Sequence, residues 1–152
     1  MVTTTTTHLV IQSFGEALNR RDIAAAIDFI DDECIYEDCN FPQPFLGKEA
    51  IREIFEEYCQ NLPDDLQYVI DDLTEGAQNA VGVLWHVELD GIPFPNGRGV
   101  SFYRVSEKTG KLVFARDLVE PPIKPGKVSF LIIRLLTPLI RLFLKDKKKT
   151  ES

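Results

Sequence analysis

The hydrophobic spacing of this chain changes period at Pro63, and that switch limits the possible folds more than any single motif does. Before Pro63, apolar residues recur in steps of three and four; after it, they alternate. Val10, Phe14, Ala17 and Leu18 share one face of a helix expected over residues 8–19. Asp22 suits the N-cap of a second short helix reaching Phe29, because its carboxylate can accept from the free amides of the first turn. Residues 34–38 read as a strand. Residues 39–46 carry Pro42 and Pro44 and are expected to be loop. A third helix follows Gly47. Its apolar stripe is Ala50, Ile51, Ile54, Phe55, Tyr58 and Cys59; Arg52, Glu53, Glu56 and Glu57 form its wet face. Thr3, Thr4, Thr5, Thr6 and Thr7 have no pairing pattern and are expected to be a loose arm.

Beyond Pro63, strands are expected over residues 66–74, 80–89, 98–105 and 111–119. Asp90-Gly91 turns the chain after the second, and residues 106–110 turn it after the third. The order ααβαββββ is that of an α+β domain, with helices covering a curved, mostly antiparallel sheet. Alternation then sorts the side chains. Ser101, Tyr103 and Val105 share a face, as do Val113, Ala115, Asp117 and Val119. Val100, Phe102 and Arg104 lie opposite the first set, and Leu112, Phe114, Arg116 and Leu118 opposite the second. Both faces are largely apolar, so both are expected to be covered, one lining a pocket under the helices and the other pairing two subunits as a homodimer.

Charge excludes one class of partner. Residues 1–123 hold 9 Lys/Arg against 22 Asp/Glu, a net −13, which does not suit nucleic acid. Three cysteines, Cys34, Cys39 and Cys59, are an odd set without CxxC spacing. They argue against a disulfide framework and for a reducing, cytoplasmic setting. His8 and His86 show no ligand spacing, so no metal or cofactor is expected. The first residues, MVTTTTTHLV, carry no targeting pattern.

Residues 14–55 read FGEALNRRDIAAAIDFIDDECIYEDCNFPQPFLGKEAIREIF. This stretch resembles the ketosteroid-isomerase and SnoaL-like proteins of the nuclear transport factor 2-like superfamily. The resemblance runs without gaps through Phe55, then loosely through Trp85 to the last strand. It implies a cone-shaped α+β domain over residues 7–120 with three helices packed on the sheet. It also implies that Asp38 stands where the isomerases place their catalytic base, with Gly47 at the family's spacing. Such a base works in a partly apolar pocket. Tyr36, two residues earlier, is expected to point the same way, and Trp85 falls at a pocket-lining aromatic. Asp117 matches the acid/base aspartate that SnoaL-type cyclases carry on the final strand. Tyr36, Trp85, Ser101 and Tyr103 are candidate hydrogen-bonding partners of a ligand oxygen.

The isomerases stabilise an oxyanion with a tyrosine and a protonated aspartic acid. Here those positions hold Phe14 and Ser101, and two supporting tyrosines become Ile30 and Phe55. The resemblance therefore implies a greasier pocket for a small, largely apolar ligand. Proton transfer of isomerase, cyclase or dehydratase type is one outcome, and a non-catalytic carrier or dimeric interaction module is the other. Simpler roles stand beside these: Asp38 as a turn cap before Cys39, Asp117 in a salt bridge with Arg104 or Arg116, His86 as a histidine on the other sheet face, and Cys39 as a small apolar residue.

Residues 121–127, with Pro121, Pro122 and Pro125, read as a stiff linker. Residues 128–144, VSFLIIRLLTPLIRLFL, then run into a lysine cluster, and residues 124–152 carry 8 Lys/Arg against 2 acids. Seventeen residues make a helix of about 25 Å, short of the roughly 20 residues a bilayer span needs. An in-plane amphipathic helix peripheral to a membrane, over residues 128–149, is the expectation. Packing on its own domain or on a partner subunit is the alternative.

Overall fold

A computed structural model describes residues 4–150. Side chains at 4, 5, 75 and 145–150 fall outside the described set, and with them the lysine cluster at 145–149 and Thr3 of the expected arm. The chain divides into two compact units, Met1–Glu120 and Pro121–Ser152.

The first unit has the expected α+β composition, with elements α1 (Thr4–Asn19), α2 (Ile23–Asp28), β1 (Ile30–Asp38), β2 (Phe45–Leu46), α3 (Gly47–Asn61), β3 (Leu66–Glu75), β4 (Ala80–Leu89), β5 (Ile92–Val105) and β6 (Leu112–Val119). The six strands make one curved, unclosed sheet in the order β2-β1-β6-β5-β4-β3. Only β1 and β6 run parallel; every other pair is antiparallel.

Four local expectations need correction, the first being that β1 starts at Ile30, four residues before the strand expected over residues 34–38. Residues from Thr4 onward are helical rather than a loose arm, because Thr7 continues the buried stripe of Ile11 and Phe14 one turn earlier and is itself only 2% exposed. The loop at residues 39–46 ends in a two-residue strand, with Phe45 opposite Tyr36 and Leu46 opposite Ile35. β5 begins at Ile92, six residues before the expected start, despite Pro93 and Pro95. Its first half pairs with β4 alone, since the β6 ladder starts only at Gly99 opposite Val119. Prolines on a strand's unpaired side remove no ladder hydrogen bond.

The second helix is capped as expected, with the Asp22 carboxylate accepting from the Ala25 amide at 3.0 Å. Gly47 opens α3 at φ +81°, a conformation that a β-carbon disfavours, and an added Cβ would meet the Asp32 carbonyl at 3.2 Å. The core lies between the helices and the concave face of the sheet. Ile11, Phe14, Ile27, Ile51, Ile54 and Phe55 pack from the helices against Val83, Tyr103, Val105 and Ala115. Burial pushes the Cys34 thiol within this core up to about 12.

The opposite face leaves Leu84, Val100, Phe102 and Leu118 between 39% and 51% exposed. His86 lies there, between Asp71 at 2.9 Å and Glu88 at 3.0 Å, and its hydrogen bonds to those carboxylates raise its pKa. The second unit consists of residues leading into one helix, α4 (Val128–Thr150), with Pro138 inside it. No helix among the described residues is long and apolar enough to cross a membrane.

Candidate ligand pocket

The parallel seam of β1 and β6 sets the site. It makes Asp38 and Asp117 direct partners across the ladder, 79 positions apart in sequence, and Tyr36 the partner of Ala115. On the other side of β6, Ser101 of β5 partners Asp117 and Tyr103 partners Ala115. One patch of the concave face thus gathers two carboxylates, two tyrosines and a serine. The peptide beyond β1 is tied to the same place, the Cys39 amide donating to the Asp117 carbonyl at 2.9 Å.

A pocket of about 380 Å³ opens over this patch. Both aspartates line it, with Phe14, Leu18, Phe55, Tyr58 and Trp85 among its walls. Tyr36 and Tyr103, both sequence candidates, line it as well. Ser101 is not among the lining residues; it is buried, and its hydroxyl accepts the Trp85 indole N–H at 2.8 Å. That bond fixes the indole, which lies across Gly99. A β-carbon at Gly99 would come within 2.6 Å of the ring and 2.3 Å of the Leu118 carbonyl, so only glycine fits beneath this wall.

The two acids have different surroundings. Tyr58 donates its hydroxyl to Asp38 Oδ2 at 2.5 Å, and the Asn40 amide donates to Oδ1 at 2.8 Å. Asp38 therefore caps its turn and faces the pocket at once. Asp117 accepts from Tyr36 at Oδ2 and from Tyr103 at Oδ1, the latter at 3.2 Å. Burial raises the Asp117 pKa; hydrogen bonds from Ser101 and Tyr36 oppose the rise, and the charge of Asp38 adds to it. Burial also lifts Tyr36, Tyr58, Tyr68 and Tyr103 above the ordinary tyrosine range, and the aspartate charges reinforce it. Tyr36, Tyr58 and Tyr103 stay protonated and donate to the two carboxylates. Arg116, on the other sheet face, pairs with Glu37 instead of Asp117.

Sequence reasoning missed two of these tyrosines as site residues. Tyr58 was legible only as part of the α3 stripe, although its position one turn beyond Phe55 puts it over the same pocket. Tyr68 sits on β3, whose alternation gave no hint of a site. Its hydroxyl is buried at the pocket and makes no hydrogen bond of ordinary geometry.

The profile of the SnoaL-like domain family matches residues 11–115. The chain belongs to this family, within the nuclear transport factor 2-like superfamily. Among curated protein sequences nothing matches. Solved structures share the fold at low identity. SalBIII, an epoxide hydrolase/cyclase-like enzyme of pyran ring formation in salinomycin, superposes with TM-score 0.64 at 17% identity over 78% of this chain and 94% of its own. A putative SnoaL-like polyketide cyclase from Shewanella putrefaciens CN-32 gives 0.63 at 14% identity, covering 75% and 79%. A computationally designed 17-OHP binder gives 0.59 at 19%, covering 74% and 89%.

Proposed function

We propose that this SnoaL-like chain binds a small, largely apolar molecule bearing a carbonyl group and shifts a proton on it, in an isomerase or cyclase type of reaction. The observation that carries this is the pairing of Asp38 with Asp117 across the β1–β6 seam, inside a pocket walled mainly by aromatic and aliphatic groups. Asp38 acts as the base. It takes a proton from a carbon beside the carbonyl, and the electron pair of that C–H bond delocalises onto the oxygen as an enolate. Asp117, which burial keeps protonated to higher pH, returns a proton to another carbon of the conjugated system. One C–H bond breaks and one forms, and exchange with water restores the two carboxyls. The cyclase-type and steroid-binder-type neighbours support a ligand pocket of this class.

The surroundings complete the reading. The exposed apolar residues on the convex sheet face suit a homodimer, and three unbridged thiols suit a cytoplasmic setting. A carrier without catalysis is the second reading, favoured by Phe14, Ile30 and Phe55 where the isomerases have tyrosines.

Deuterium uptake from D₂O at the carbons flanking the carbonyl of 2-decalone, a saturated ketone, and of apolar bicyclic enones, followed by mass spectrometry, tests the chemistry. Wild type accelerates uptake, and Asp38→Asn loses about 10²–10⁴ of that acceleration. Uptake no faster than in buffer removes the catalytic reading. A co-purifying apolar ligand in native mass spectrometry then leaves the carrier.

A further inference from the structure

We infer that α4 is an in-plane anchor for an anionic lipid surface, held by its apolar side in the acyl boundary and by its arginines among the headgroups. Among the described residues the helix is the only regular element of its unit, and none of them within that unit covers it. At about 100° per residue, Arg134, Thr137, Pro138 and Arg141 fall in one sector roughly 100° wide, which only Phe130 interrupts among the described side chains. Ile132, Leu136, Leu139 and Phe143 occupy the opposite side, and each is between 44% and 75% exposed.

Three features choose lipid over other occupants. The apolar arc extends around most of the helix, much wider than the seam that two packed helices share, so a second copy of α4 would leave much of it in water. The charge is complementary: residues 124–152 carry 8 Lys/Arg against 2 acids, while the rest of the chain is acidic and gains nothing from such a surface. The third feature is the defect in the helix ladder. Pro138 has no amide hydrogen, so the Arg134 carbonyl loses its usual partner one turn ahead. That orphaned carbonyl lies in the arginine sector. In an in-plane helix it meets headgroups and water; in a spanning helix it would sit in hydrocarbon, where an unpaired backbone group is strongly disfavoured. Thr137, in the same sector, already turns its hydroxyl back to the Ile133 carbonyl at 2.6 Å.

Co-sedimentation of the full chain with vesicles of phosphatidylcholine alone, and of phosphatidylcholine mixed with phosphatidylserine, tests the anchor. The chain pellets with the mixed vesicles and far less with the neutral ones. Neutralising both arginines, Arg134→Gln with Arg141→Gln, lowers the vesicle partition about thirty-fold, and deleting residues 121–152 abolishes it. Trp85, the single tryptophan, reports from the pocket unit, and its unchanged emission shows that each variant is folded. No pelleting with the mixed vesicles, or equal pelleting of wild type and the double variant, overturns the anchor. So does an oligomer in light scattering that depends on residues 121–152 and does not bind vesicles.

Discussion

Tyr103 and Phe102 are adjacent in β5 and project into different environments. Tyr103 points into the concave face, 4% exposed, where its ring meets Phe14 edge-on and its hydroxyl reaches Asp117. Phe102 points to the convex face, 39% exposed, against Phe114 and beneath Arg104. The same contrast runs along β6, with Asp117 inside and Arg116 outside. Alternation therefore does more here than separate wet from dry. It puts the polar chemistry on the dry side, where burial strengthens it, and leaves much of the grease on the side open to solvent.

The contrast can be broken by paired truncations. Tyr103→Ala is expected to cost about 3–5 kcal/mol in urea unfolding, the usual loss for a large buried aromatic, and Phe102→Ala under about 1 kcal/mol. Equal losses, with the Phe102→Ala cost falling on dilution, would mean that a second subunit covers the convex face and that the two faces differ less than one chain suggests.

A pH series sharpens the contrast at the next scale. Because burial raises the Asp117 pKa above its ordinary 3.8, the folded chain holds that proton more tightly than the unfolded one. Stability then falls as pH climbs from 3.8 through the raised value, and the penalty is complete above it. Asp117→Asn lacks this term. It is expected to be more stable than wild type at pH 7, with the gain vanishing in acid below the ordinary value. A gain independent of pH would mean the carboxyl is not penalised by its surroundings.

The smallest effect belongs to the outer face. Arg116→Ala breaks the ion pair with Glu37, but with the Arg116 side chain 58% exposed the expected cost is too small to resolve in urea unfolding and shrinks further in high salt.

Much of this could be read from the sequence, for reasons that can be stated residue by residue. β4 has the boundaries expected of it, Ala80–Leu89, because strict alternation meets an Asp-Gly turn. Asp38 and Asp117 were both legible through the resemblance to the isomerases and the SnoaL-type cyclases, on the first strand and the last. What the sequence did not carry was pairing. Nothing local says that β1 and β6 run parallel or that their acids stand opposite each other. The early start of β1 was hidden by Asp31, Asp32 and Glu33, poor strand formers that are tolerated beside a register shift between Ile30 and Ile35. Tyr68 escaped notice because an unsatisfied hydroxyl is a property of its neighbours, not of its own segment.

The seam between the first strand and the last has a consequence for when the molecule becomes competent. A ribosome releases the Asp38 segment long before the Asp117 segment exists, and no fragment ending before β6 contains both acids. The pairing of the two acids therefore waits on β6 and on a loop closure of 79 residues. No chain that stops short of β6 carries the carboxylate pair, and its assembly marks the point at which the first strand and the last have met.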